Sequence, residues 1–220
     1  MNKITKMIVN MVLVAALTGV ILSFVFTKAD PLIQANKAKE LRESIFKVLP
    51  EAKDFQPVEK TLGPEEKFTL YVGVDDAGVP VGVAFKADGG GFQGNVGVMV
   101  GLDLDYAKMK AIEILDQVET PGLGDRIREP LFKDQFKGVE VSPKVEYIKY
   151  RKPEKPNQIQ AITGATISSD AVVKNINRAV EKVMKNFPRE EVMAVKVEKK
   201  AAEPSAGPAN DAKGAQDGGK

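Results

Sequence analysis

The hydrophobic pattern of this chain changes period several times along its length. From Ile8 to Thr27 the run IVNMVLVAALTGVILSFVFT is apolar and carries no charge. About twenty residues at about 1.5 Å each are enough to cross a hydrocarbon layer of about 30 Å. Lys3 and Lys6 precede the run on a short tail, a distribution that keeps the N-terminus cytoplasmic and exports everything after Lys28. The run is longer than the apolar core of a cleaved signal peptide and no A-x-A site follows it, so an uncleaved anchor is expected. Asp30-Pro31 then has the residues of a helix start. Leu32, Ala35, Ala38, Leu41, Ile45 and Val48 recur at helical spacing up to Pro50.

Beyond Pro50 the pattern shortens to strand-like segments. Phe68 to Val74 and Val79 to Ala87 predict a hairpin turned at Asp75-Asp76-Ala77-Gly78. Val96 to Leu102 and Met109 to Leu115 predict a second. Between the hairpins lies Asp88-Gly89-Gly90-Gly91-Phe92-Gln93-Gly94-Asn95, whose consecutive glycines allow close approach to something flat or bulky. Arg128 to Lys137 predicts a short helix, Val145 to Tyr150 and Asn157 to Ile162 predict strands, and Arg151 to Pro156 a polar loop. Ser168 to Phe187 predicts an amphipathic helix with Val172, Val173, Ile176, Ala179, Val180 and Val183 on one stripe. The tail is rich in Ala, Gly, Pro, Lys and Asp and has no face to bury. The organisation expected is a cytoplasmic tail over 1–7, an anchor over 8–27, an extracytoplasmic α+β domain over 28–197 and a disordered tail over 198–220. The domain is an antiparallel sheet with flanking helices.

Composition narrows the chemistry. Cysteine, histidine and tryptophan are all absent from the 220 residues. That excludes disulfides, zinc fingers, iron–sulfur ligation, a Cys nucleophile and a His base. Lys and Arg number 32 against 30 acids, too balanced a charge to argue for nucleic acid. The acids Asp103, Asp105, Asp116 and Asp125 do not meet EF-hand spacing, and no metal is expected.

Two segments stand out. Thr163-Gly164-Ala165-Thr166-Ile167-Ser168-Ser169-Asp170 joins the last strand to the long helix. Its hydroxyls sit where a helix presents unpaired N–H groups and about half a positive charge. Capping by Ser and Thr accounts for this, and so does a phosphate site. It is not a P-loop, since no G-x-x-x-x-G-K-[ST] occurs. Glu119-Thr120-Pro121-Gly122-Leu123-Gly124 is a turn that presents Leu123 between glycines. It serves as a plain connection, or as a cover for one face of a planar ligand.

Taken together, these segments resemble the membrane-anchored FMN-binding proteins typified by the G subunit of the Rnf ion-translocating electron-transport complex. The C subunit of the sodium-pumping quinone reductase is a near relative. The resemblance runs from the anchor to the long helix and spares the tail. Its most specific element is Ala161-Ile162-Thr163-Gly164-Ala165-Thr166-Ile167-Ser168-Ser169, similar to the family's S/T-G-A-T motif. One departure is Gln160, where the family usually carries an acid. The resemblance implies FMN joined through its phosphate to Thr166, with Thr163, Gly164, Ala165 and Ser168 around the phosphate end. It implies Glu119, Thr120, Leu123 and the Gly89–Gly91 stretch, Gly90 included, around the ring. It also implies electron relay within a membrane complex, partner subunits, and a separate flavin transferase. The protein would not be catalytic or pump ions alone.

Flavin carries out electron transfer itself and asks the protein for binding and orientation. A redox role is therefore compatible with a chain that lacks His and Cys. Two other readings compete: a standalone extracytoplasmic FMN carrier serving another reductase, and a cofactor-free anchored scaffold. A flavin absorbance spectrum separates the scaffold from the others, and co-purification with membrane subunits separates complex from carrier. The anchor reading carries its own prediction. N-terminal sequencing of protein extracted from membranes should begin at Met1, and a start near Ala29 would show a cleaved leader instead.

Overall fold

The computed structural model describes residues 2–63 and 66–195. The predicted tail over 198–220 lies outside the described residues. Helix α1 spans Lys3–Val48 without interruption, 46 residues and roughly 69 Å. It is long and apolar enough to cross a membrane. The helix start expected at Asp30-Pro31 is not a boundary, because Pro31 lies inside the helix. Proline's fixed φ is itself helical, and what it removes is one N–H donor. The helix formers on either side carry the coil through. Residues 31–40 are exposed throughout, so most of the predicted stripe has no partner among the described residues. Only its end, Ile45 and Val48, is buried.

Five strands follow in a meander: β1 (Asp54–Thr61), β2 (Lys67–Val74), β3 (Pro80–Gly90), β4 (Asn95–Leu102) and β5 (Met109–Gln117). They pair antiparallel in chain order. β1 has no counterpart in the hydrophobic pattern. It is an edge strand, mostly exposed, and an edge is where the ladder tolerates Pro57. The glycine-rich stretch is also not a link between separate hairpins. β3 runs through Gly90, pairing Gly89 with Val96 and Gly90 with Asn95. The turn that remains is Gly91 to Gly94, closed by the Gly91 amide on the Gly94 carbonyl at 2.6 Å.

After β5 the chain forms a 3-10 turn (Gly124–Arg128), the one-turn helix α2 (Pro130–Lys133) and another 3-10 turn (Asp134–Phe136) in place of one regular helix. Short strands β6 (Glu146–Ile148) and β7 (Gln158–Gln160) pair in parallel, apart from the main sheet. Helix α3 spans Thr166–Asn186 and α4 Arg189–Met193.

The sheet is covered on both faces. On one, Val172, Ile176, Val180 and Val183 of α3 pack on Leu70, Val83, Phe85, Val98 and Val100. On the other, Ile45, Val48 and Leu49 pack on Ala84, Met99, Ala111 and Leu115. Small residues let the end of α1 come this close. A Cβ on Gly101 would lie 2.4 Å from the Val48 carbonyl oxygen. Glu113 ties the same corner together, receiving Lys133 at 2.7 Å and Lys47 at 3.2 Å. Burial alone would raise its carboxyl, but the hydrogen bonds and charges of these two lysines outweigh burial and hold it below the usual range.

This packing predicts opposite outcomes for two glycines. Gly101→Ala must displace backbone and should destabilise the domain by about 1–3 kcal/mol. Gly90→Ala meets nothing within 4 Å and should unfold in denaturant like the parent.

Candidate functional site

The two sequence segments that stood out converge in space around one carboxylate. Glu119 follows β5 and is only 5% exposed. Buried carboxylates require donors, and this one has three. Its Oε1 accepts the Phe92 amide at 2.7 Å and the Gln93 amide at 3.3 Å. Its Oε2 accepts the Ser168 hydroxyl at 2.6 Å. The side chain thus joins the β3–β4 turn to the first turn of α3. Two glycines make room for it. A Cβ on Gly91 would lie 2.2 Å from Oε1, and one on Gly124 would lie 2.7 Å from Oε2 and 2.6 Å from the Ser168 Oγ. The close approach expected of the glycine-rich stretch is therefore to the protein itself. Gly89 behaves likewise, with its would-be Cβ 2.0 Å from the Asn175 Oδ1.

The Thr120 carbonyl accepts the Leu123 amide at 3.2 Å and the Asp125 amide at 3.3 Å, closing a tight turn through Gly122 at φ +77°. The turn holds Leu123 half-exposed, with its Cδ2 3.6 Å from a would-be Cβ on Gly164. Gly164 has φ +87°, a left-handed conformation that suits glycine. The Ala165 amide bonds the Ile162 carbonyl at 3.0 Å. The Ser169 hydroxyl accepts the Ile162 amide and donates to the Ala165 carbonyl, each at 3.0 Å. The N-cap of α3 is Ala165, and no side chain caps this helix start. Ser168 and Ser169 are thus committed to shaping the loop, and the hydroxyl-capping explanation of Thr166 is not what the structure shows. Thr166 is the first residue of α3 and half-buried, facing a groove.

That groove has a volume of about 260 Å³ and is lined by Phe92, Glu119, Thr120, Leu123, Gly124, Tyr150, Gly164, Ala165, Thr166, Ile167 and Ser168. It gathers most of the site residues expected from sequence: Glu119, Thr120, Leu123, Gly164, Ala165, Thr166 and Ser168. Thr163 is exposed and not in the wall. Gly90 is not in the wall either; Phe92, two positions on, is. Phe92 is 59% exposed, Ile167 56% and Tyr150 77%, so three large side chains stand open to solvent at one cleft. Nothing along the chain marks Tyr150 as a site residue: the pattern makes it the end of a strand, whereas β6 stops at Ile148 and Tyr150 stands in the loop beyond it. A second groove of about 360 Å³ between β2, β3 and α3 is lined by Lys67, Lys86, Arg178, Lys182, Glu66 and Asp88 among others, and holds none of the motif residues.

The Glu119 arrangement makes a direct prediction. Glu119→Ala leaves buried donors unmatched and should cost about 1–3 kcal/mol in urea unfolding. Glu119→Gln should cost less, since its carbonyl can keep the amides and its NH₂ can donate to the Ser168 oxygen. Equal losses in the two variants would mean that the hydrogen bonds are not what the carboxylate supplies.

The chain is similar in sequence to known proteins. Residues 91–181 match the family model of the FMN-binding domain. The G subunit of the ion-translocating oxidoreductase complex of Methanosarcina acetivorans is 32% identical over 185 residues, covering 83% of this chain and 95% of that protein. The G subunit of the Na(+)-translocating ferredoxin:NAD(+) oxidoreductase complex of Acetobacterium woodii is 34% identical over 140 residues, covering 62% of this chain and 66% of that one. The crystal structure of the C subunit of Na(+)-translocating NADH-quinone reductase from Parabacteroides distasonis aligns over 66% of this chain and 80% of its own, at 21% identity and a TM-score of 0.49. The chain thus belongs to the family of G subunits of ion-translocating oxidoreductase complexes, redox subunits built around an FMN-binding domain and not catalytic alone.

Proposed function

We propose that this chain relays electrons through FMN joined by its phosphate to the Thr166 hydroxyl, as the flavoprotein subunit of an Rnf-type ion-translocating complex. The observation that carries this reading is the position of Thr166: at the first turn of α3, uncapped by any side chain, opening on a groove with apolar walls. The residues fit the group. Gly164 brings no side chain to the approach. The unpaired N–H groups and positive end of α3 favour the single charge left on a phosphodiester, by about 0.3–1 kcal/mol. That term is small, so the ester bond does the holding. Phe92 and Leu123 offer apolar surface for a planar ring, while Glu119 positions both through the loops it ties together. Flavin supplies the redox chemistry when bound; the protein orients it and leaves part of it accessible.

The remaining roles follow from the anchor. Lys3 and Lys6 hold the short tail in the cytoplasm, which puts the domain on the periplasmic, extracytoplasmic side of the plasma membrane. A tethered domain stays close to membrane-embedded redox partners, and that raises its effective concentration. The other subunits of the complex are its partners, and a flavin transferase forms the ester before assembly. Gln160 stands where an acid is usual, and its backbone is locked by Gln135 at 2.7 and 3.3 Å. The reading is tested on protein from the native membrane. The parent should show yellow in-gel fluorescence that survives SDS and an intact mass heavier by one FMN less one water. Thr166→Ala should lose both. Fluorescence retained in that variant would move the attachment elsewhere.

A further inference from the structure

The loop Lys149–Lys155 is a basic rim on the groove. It carries Lys149, Arg151, Lys152 and Lys155 against one acid, Glu154, an excess larger than the net +2 of the whole chain. All five side chains are exposed. Among the described residues none of the four cations forms an ion pair, whereas the equally exposed Lys39, Lys47, Lys137 and Lys174 each do. The fold puts this charge beside the site. The Ala161 amide bonds the Ile148 carbonyl at 2.9 Å, so the loop leaves β6 where the chain enters Thr163-Gly164-Ala165-Thr166. Tyr150, bracketed by Lys149 and Arg151, lines the groove itself.

The rim is held in place. Tyr150 sits at φ +58°, a left-handed conformation unfavourable for an aromatic residue, and yet is 77% exposed. The Gln158 Oε1 accepts the amides of Glu154 and Lys155, each at 3.3 Å. Unpaired cations in one loop with an exposed aromatic have the composition of an interface: an anchor beside a charged rim.

We propose that the Lys149–Lys155 loop, with Tyr150 as its aromatic anchor, is the docking surface for an acidic face of a protein redox partner. This deepens the flavin reading and rests on it: electrons exchange at the open side of the groove, so a partner must come to this rim. Charge complementarity names the partner's chemistry, since exposed unpaired cations raise the encounter rate with acidic surfaces. The anionic membrane surface is the less favoured occupant. Residues 28–43 of α1 form a stalk of roughly 24 Å between the apolar run and the first buried residue, Ser44. Attraction to lipid headgroups is screened within about 8 Å at physiological salt.

The test uses the full chain in detergent and an acidic flavodoxin as the probe. Neutralising Lys149→Gln, Arg151→Gln and Lys152→Gln together should weaken probe binding roughly tenfold at low salt and flatten its salt dependence. Tyr150→Ala should weaken binding with the salt slope kept. Lys37→Gln with Lys39→Gln, on the stalk, should change neither. Binding needs no flavin, so a colourless parent would fail the cofactor reading without touching this result. Equal affinity of the parent and the triple variant would overturn the proposal. So would a triple variant that loses binding only to anionic phosphatidylglycerol vesicles, which would assign the rim to the membrane.

Discussion

The site depends on a single buried carboxylate. Glu119 lies where water hardly reaches, and a charge in that position must be met by donors or it destabilises the fold. Its donors come from 26, 27 and 49 residues away in sequence. Satisfying one side chain therefore fixes three segments relative to each other: the β3–β4 turn, the loop after β5 and the first turn of α3. The groove is the space those segments enclose. Gly91 and Gly124 belong to the same constraint, because any side chain there would occupy the position of a Glu119 oxygen.

The sheet serves the site by separating two tasks. Its α3 face holds the long apolar contact that makes the helix start a fixed point. Its α1 face, thinned by glycine and alanine, receives only the end of the anchor helix. Lys47, Glu113 and Lys133 reinforce that second contact with charge. Residues 31–40 of the stalk between the apolar run and the domain are exposed throughout, and only its last turn, at Leu41 and Arg42, meets the domain, so helix length and whatever docks on the domain set its distance from the bilayer.

The chemistry follows from what the chain lacks. With no His and no Cys it offers neither a proton shuttle at neutral pH nor a thiolate. It offers a hydroxyl at a helix start, apolar walls and an open edge. A protein of this composition contributes to electron transfer by holding a cofactor and by choosing what approaches it. Leu123, Phe92 and Tyr150 are the large side chains that this surface presents at the groove beside Thr166.

Much of this is legible along the chain, because local chemistry has local causes. The apolar run, the β2–β3 turn, the α3 stripe and the S/T-G-A-T-like segment each depend on residues within one turn or one strand of each other. The pattern misleads where distant residues decide. Pro31 reads as a boundary, yet nothing nearby prevents the helix continuing through it. β1 is an edge strand whose pattern is too exposed to show a period. The glycines at 89 and 91 read as room for a ligand, and only folding reveals that Asn175 and Glu119 fill it. Tyr150 reads as the end of a strand, yet β6 stops at Ile148 and the parallel β6–β7 pair carries Tyr150 to the groove. Sequence determined which residues could hold a phosphate and a planar ring; the tertiary structure decided which of them meet, because a buried charge and its donors are brought together only when the whole sheet closes.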